Sequence, residues 1–230
     1  FFGQSSFSQY VVTRASNAVV VDPEVDLTLL GPLGCGIQTG SGTVLNRLKP
    51  VVGESLVVFG CGAVGLSAIM AAKLTGCSQI IAVDIHASRL ALAGERGATH
   101  QINGKEQDAV AVIKQITGKG AHYAVETTGV SAIVLQAVHA VKPLGTVAIV
   151  GFTGDITLNV QNDLMAEGKS LVGVIEGDAV PALFIPLLVQ LYKQGKFPID
   201  KLIARYPLAD INQAFADSAS GKVIKPVVVM

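Results

Sequence analysis

From Ser55 to about Gly177, short apolar runs rich in Val and Ile alternate with stretches whose apolar residues recur at helical spacing. This alternation restricts the fold more than any other feature of the chain. The strand candidates are "SLVVFG", "QIIAVDI", "THQIN", "HYAVET", "TVAIVGF" and "SLVGVIEG". Between them, "VGLSAIMAAKLTG", "SRLALAGERG", "DAVAVIKQITG" and "SAIVLQAVHAVKPLG" read as helices, several of which stop at glycine. Strands separated by helices need crossover connections and therefore a parallel sheet, with its central strands buried on both faces. The series predicts an α/β fold built on a doubly wound, six-stranded parallel Rossmann sheet. A chain that is 50% hydrophobic and holds 25 glycines suits such an architecture.

The flanks break the rhythm. Residues 1–32 read as β-rich, with "SFSQYVV" and then "AVVVDP" closed by Pro23, before a loop at Gly31-Pro32. A helix is expected from "GCGIQTGSGTVLNRL" up to Lys49. Beyond Gly177, "PALFIPLLVQLYKQGK" reads as an apolar helix started by Pro181, "YPLADINQAFADSASGK" as an amphipathic one, and "IKPVVVM" as a closing strand. The expected divisions are residues 1–36, a nucleotide-binding domain over 37–175, and a C-terminal segment over 176–230. The first residue is Phe1 rather than methionine and the chain opens in mid-pattern, so a fragment of a longer protein is expected.

Several function classes recede. Lys and Arg balance Asp and Glu at 17 each, which gives nucleic acid or an anionic membrane no reason to bind. No apolar run reaches the length of a membrane span, and the N-terminus lacks the form of a signal peptide. Cys35, Cys61 and Cys77 make no CxxC pair, so a reduced, cytoplasmic chain is expected. His86, His100, His122 and His139 are scattered without metal-ligand spacing, and no GxSxG elbow or GxxxxGK[ST] loop is present.

The chemistry-bearing candidates lie around "SLVVFGCGAVGLSA". In Gly60-Cys61-Gly62-Ala63-Val64-Gly65, the first glycine permits a tight turn, the second lets a pyrophosphate approach, and the third brings the helix close to the sheet. Amides opening the helix would then face the phosphates along a favourable dipole. The same pattern also serves as a plain turn between strand and helix. Asp84 ends the next strand, where a carboxylate accepts from the adenosine ribose hydroxyls and repels a 2′-phosphate, so NAD is expected over NADP. It could instead cap the helix beginning near Ser88. Arg89 either lies along the adenine ribose or is a surface charge. Cys35, at the apparent start of a helix, is either an acidified thiol able to ligate zinc or a small buried hydrophobe.

The runs "GCGIQTGSGTVLN", "VVFGCGAVGLSAIMAAKLTG" and "IIAVDIHASRLALAGERGATHQIN" resemble the zinc-dependent medium-chain alcohol dehydrogenases, and "AVETTG", "TVAIVGF" and "SGKVIKPVVVM" continue the likeness. Within that family, "FFGQSSFSQYVV" and "GVIEGD" look most like bacterial aryl-alcohol (benzyl alcohol) dehydrogenases. The resemblance implies a zinc ligand at Cys35 and a residue beside the nicotinamide at Thr39. It implies a pyrophosphate loop at Gly60, Gly62, Ala63 and Gly65, with Val64 behind the nicotinamide. Asp84 and Arg89 become the ribose and adenosine contacts. Val150, Phe152, Val174 and Glu176 become positions whose backbone holds the carboxamide, and Lys225 a basic residue reaching the pyrophosphate. Zinc would lower the pKa of a bound alcohol, and the alkoxide would pass hydride to nicotinamide C4.

The resemblance also implies flanks belonging to a β-rich, GroES-like catalytic domain, and homodimers or homotetramers paired along the strand "SLVGVIEG". One departure stands out. A catalytic zinc takes three protein ligands and this sequence offers one, so the chain by itself is expected to bind NAD without turnover. The competing expectations are a non-catalytic NAD-binding module and a zinc-free quinone reductase of the same superfamily, against which Cys35 argues.

Overall fold

The computed structural model describes residues 7–230, and residues 1–6, the start of the N-terminal stretch read above as β-rich, lie outside it. Contacts divide the chain into two compact units, one of Thr39–Ala179 and the other of the chain up to Gln38 with Val180–Met230.

The first unit is a six-stranded, all-parallel sheet. Its strands are β1 (Ser55–Phe59), β2 (Gln79–Asp84), β3 (His100–Asn103), β4 (Ala121–Glu126), β5 (Val141–Ile149) and β6 (Ser170–Gly173), in the spatial order β3-β2-β1-β4-β5-β6. Every residue of β1 is buried, as expected of a central strand covered on both faces. Strand order reverses direction between β1 and β4, and in open α/β sheets ligands bind beyond the strand ends at such a switch point. There Phe59 of β1 stands beside Glu126 of β4.

The chain enters this unit through α1 (Gly36–Gly42), which runs into a π-helical turn at Thr43–Leu48 closed by Lys49 in a left-handed conformation. Then follow α2 (Ala63–Leu74), α3 (Ala87–Arg96), α4 (Ala109–Thr117) and α5 (Ser131–Ala140). Helix α2 is buried continuously from Gly65 to Ala72, in keeping with its almost wholly apolar sequence. Helix α4 is capped by Asp108, whose side chain accepts from the Ala111 amide at 3.1 Å. Val57, Phe59, Ile81, Val83, Ile113, Val138 and Val147 belong to one core cluster on a face of the sheet.

Two readings need correction here. The helix expected over "SAIVLQAVHAVKPLG" ends at Ala140, and Val141 already pairs with Ala121 as part of β5. Pro143 cannot continue a helix, and Leu144 sits at φ 64, so an irregular strand with a register shift opposite Ala121/Tyr123 replaces the last helical turn. At the other end, β5 and β6 stop at Ile149 and Gly173, short of the "VGF" and "VIEG" assigned to them.

The second unit contains α6 (Pro181–Lys193), α7 (Ile211–Ala219) and a parallel pair, β7 (Ile203–Pro207) with β8 (Lys225–Val229). Helix α6 buries Phe184, Ile185, Leu188 and Val189. The carboxylate of Asp217 accepts from Tyr206 Oη, Gln213 Nε2 and Lys222 Nζ at 2.7, 2.7 and 3.1 Å, tying α7 to β7. Described residues 7–32 contain no strand, contrary to the β-rich expectation. Short 3-10 turns at Ala15–Asn17, Leu27–Leu29 and Gly31–Gly34 take their place, with Tyr10, Val12 and Val20 exposed. β-propensity expresses fit to a neighbouring strand, and no strand pairs with these residues. No helix among the described residues is long and apolar enough to cross a membrane.

One feature of the sheet titrates. At the start of β1 the Ser55 amide donates to His122 Nδ1 at 3.2 Å, and the Ser55 hydroxyl meets the same nitrogen at 2.8 Å. Burial, then the charge of Lys142, holds the His122 pKa below its ordinary 6.5. A pKa depressed by folding means that the unfolded chain binds the proton more tightly. Stability is therefore complete above pH 6.5 and falls as the pH drops below it. His122→Gln is expected to flatten the pH dependence of the melting temperature between pH 8 and pH 5; an unchanged slope would contradict this assignment.

Candidate functional site

The glycine loop occupies the switch point. Gly60 leaves β1 at φ 91, a left-handed conformation that glycine adopts without strain. Its N–H donates to Val83 O at 2.8 Å and its carbonyl accepts from the Thr127 hydroxyl at 3.1 Å. Gly62 is the N-cap of α2, without a side-chain cap, and a Cβ placed on it would meet nothing within 4 Å. Gly65 is the opposite case: a Cβ there would fall 1.8 Å from the Gly60 carbonyl oxygen. One glycine thus keeps space open and the other brings α2 against the sheet.

Asp84, buried at the end of β2, reaches this loop. Its Oδ2 accepts from the Cys61 amide at 2.6 Å, and its Oδ1 from the amides of Ile85 and His86 at 2.7 and 2.9 Å. The carboxylate therefore clamps the loop and its own turn, and does not cap α3, whose N-cap is His86. This clamping role was missed in the sequence. The available signal was an Asp closing a strand, a residue type prone to bonding amides one and two positions on. The half-buried Arg89 follows on α3, and its Nε is buried without a hydrogen-bond partner. Burial, reinforced by the Asp84 carboxylate and opposed by Arg89, pushes the Cys61 thiol up, leaving it a neutral core residue.

Five other predicted residues lie on neighbouring segments of the same unit. Gly40, next to Thr39 on α1, packs so tightly on α2 that a Cβ would lie 1.9 Å from Val64 O. The Thr39 hydroxyl donates to Glu176 Oε2 at 3.4 Å. Glu176, Gly177 and Asp178 are left-handed in succession, at φ 50, 69 and 48. Asn46 Nδ2 bonds Gly177 O at 3.0 Å, and Arg47 pairs with Asp178 at 3.3 Å, holding that unusual backbone in place. At the ends of β5 and β6, Val150 N donates to Glu126 O at 2.9 Å and Val174 N to Ile149 O at 3.0 Å. Phe152 is 91% exposed.

Cys35 and Lys225 belong to the other unit. Cys35 is exposed and directly precedes α1, which removes the buried-hydrophobe alternative. Lys225 opens β8 opposite Ile203. Among the described residues, no group of three His, Cys, Asp or Glu side chains is gathered as a metal site. These residues alone do not build a zinc centre.

The loop has the features that a dinucleotide's phosphates would need. Its open space at Gly62, the uncapped amides opening α2, the carboxylate at the end of β2 and the orphaned Arg89 Nε all lie on or beside one loop. Residues 63–193 match the family model described as zinc-binding dehydrogenase. The chain belongs to that family. Among its relatives is the geraniol dehydrogenase of Castellaniella defragrans, 44% identical over the whole chain. The chain spans 62% of that relative's length. Among solved structures, benzyl alcohol dehydrogenase from Acinetobacter calcoaceticus superposes with a TM-score of 0.96 at 51% identity, over 99% of this chain and 64% of that one. An alcohol dehydrogenase zinc-binding domain protein from Burkholderia ambifaria gives 0.96 at 52% identity, over 100% and 63%. The two solved structures share the six-stranded α/β architecture.

Proposed function

We propose that the protein carrying this chain is an NAD-dependent oxidoreductase that oxidises a primary, benzyl-type alcohol to the aldehyde, and that this chain supplies its dinucleotide site. The observation that carries the reading is the loop at Gly60–Gly65, open at Gly62 and held at Gly60 and Cys61 by Val83, Thr127 and Asp84. The amides of Ala63, Val64 and Gly65 would bind the pyrophosphate, and Asp84 would accept from the adenosine ribose with the one lone pair left on Oδ2 beside its amide bonds. Arg89 would bring its unpartnered Nε toward the same end. Backbone at Val150, Phe152, Val174 and Glu176 would orient the carboxamide, with Thr39 and Val64 against the ring. Bound nicotinamide provides the hydride acceptor.

Zinc enters the reading through Cys35, one thiolate donor where a catalytic site takes three. The other donors would have to come from outside these 230 residues. Open edge strand β6 offers a pairing line for a second copy, consistent with a homodimer or homotetramer in the cytoplasm. In its full natural length, the protein is expected to reduce NAD faster with benzyl alcohol than with ethanol. A reversed order in steady-state kcat/KM would overturn the substrate class, and no alcohol-dependent NADH formation would overturn the reaction.

A further inference from the structure

Across the switch point from the glycine loop, the segment Glu126-Thr127-Thr128-Gly129 is held with unusual thoroughness. Glu126 closes β4 and is 0% exposed. Its Oε1 accepts from the amides of Thr128 and Gly129 at 2.7 and 3.1 Å and from the Thr128 hydroxyl, and its Oε2 from the Gly129 amide at 3.3 Å. A carboxyl group with all these bonds inside its own turn is spent on fixing that turn. What the turn presents is Thr127. Its amide donates to Phe59 O at 3.0 Å, and its hydroxyl lies 2.9 Å from Phe59 O and 3.1 Å from Gly60 O.

The glycine loop is consequently braced from both flanks. From β2, Val83 O holds the Gly60 amide and Asp84 holds the Cys61 amide. From β4, Thr127 holds the Gly60 carbonyl, the same oxygen against which Gly65 packs. The Gly60 amide and carbonyl and the Cys61 amide are occupied by neighbours, whereas Gly62 faces open space. A donor set aimed at an anion gains most when its geometry is fixed before the anion arrives.

We infer that Thr127, held in place by Glu126, is a positioning residue for the dinucleotide pyrophosphate. It acts through Gly60 on the amides opening α2. The inference rests on the reading of this loop as a dinucleotide site and adds to it a residue that acts through the loop backbone. Thr127→Val keeps the side-chain shape and removes the hydroxyl, whereas Thr127→Ser keeps the hydroxyl. Titrated on the full chain, NADH and ADP-ribose are each expected to bind about tenfold more weakly to Thr127→Val, the scale of one lost hydrogen bond. Thr127→Ser should remain within about twofold of the unmutated chain, and adenosine, which has no pyrophosphate, should bind all three alike.

Equal NADH affinity in Thr127→Val and the unmutated chain would overturn the inference while leaving the dinucleotide site standing. So would equal weakening of adenosine, or failure of Thr127→Ser to restore binding, since either marks a general structural defect. Failure of the unmutated chain to bind NADH or ADP-ribose would overturn the site and the inference together. Thr127→Ala gives the same comparison should the valine variant not fold.

Discussion

Gly62→Ala and Gly65→Ala are expected to separate binding from folding within a single loop. At Gly62 an added methyl meets nothing within 4 Å and the backbone at φ −76 and ψ −169 suits alanine. Stability should fall by only about 1 kcal/mol, because alanine is a poorer helix N-cap than glycine. The methyl would, however, stand where the pyrophosphate must approach, and NADH affinity should fall by about a hundredfold or more, near 3 kcal/mol. At Gly65 the methyl would lie 1.8 Å from Gly60 O and 3.1 Å from Val58 Cγ1, and the first of these is backbone that cannot turn away. Overpacking of that kind costs about 3 kcal/mol, lowering the melting temperature by on the order of 10 °C and abolishing binding. Parallel melting and NADH titration check both. Equal stability of the two variants would contradict the packing argument, and intact NADH binding in Gly62→Ala would contradict the placement of the phosphates.

Replacing Asp84 should have two distinct effects because the carboxylate does two jobs. Asp84→Ala leaves the buried Cys61 amide unpaired, together with the more exposed amides of Ile85 and His86. A loss of about 2–4 kcal/mol is expected, most of it from the buried donor. Asp84→Asn retains one acceptor oxygen and the side-chain volume while removing the charge. It should raise NADPH affinity relative to NADH by roughly tenfold or more, about 1.4 kcal/mol. Cofactor preference is therefore better tested with Asp84→Asn than with Asp84→Ala, in which a collapsed loop would weaken both nucleotides. An asparagine variant with unaltered preference would remove the ribose role and leave only the clamp.

The sheet was largely legible because its central strands are written as uninterrupted apolar runs. "SLVVF" and "QIIAVD" can be buried on both faces and little else, and the glycine loop between strand and helix followed from spacing. Three things were not legible. Val141 joins a strand rather than a helix because Pro143 and the left-handed Leu144 suit an irregular strand start, a local choice that helical periodicity up to Ala140 conceals. Residues 7–32 carry β-branched runs, but a strand is made by its neighbour, and none pairs there. β7 was overlooked for the converse reason: "IARYP" is short and mixed, and becomes a strand through pairing with β8. At the loop, residue types announced the glycines and Asp84. The bracing by Thr127 and Glu126 did not show, because "VETTG" reads as a strand end followed by a turn and the partner carbonyls are more than sixty residues away.

The central claim is that this chain, folded as described, binds a pyridine dinucleotide at Gly60–Gly65 and rejects a 2′-phosphate through Asp84. Isothermal titration of the unmutated chain with NADH and with NADPH tests it most directly. Saturable heat with NADH, and affinity for NADPH lower by about tenfold or more, is the predicted result. Absence of heat with either nucleotide from a cooperatively folded sample, or equal affinity for the two, would contradict it.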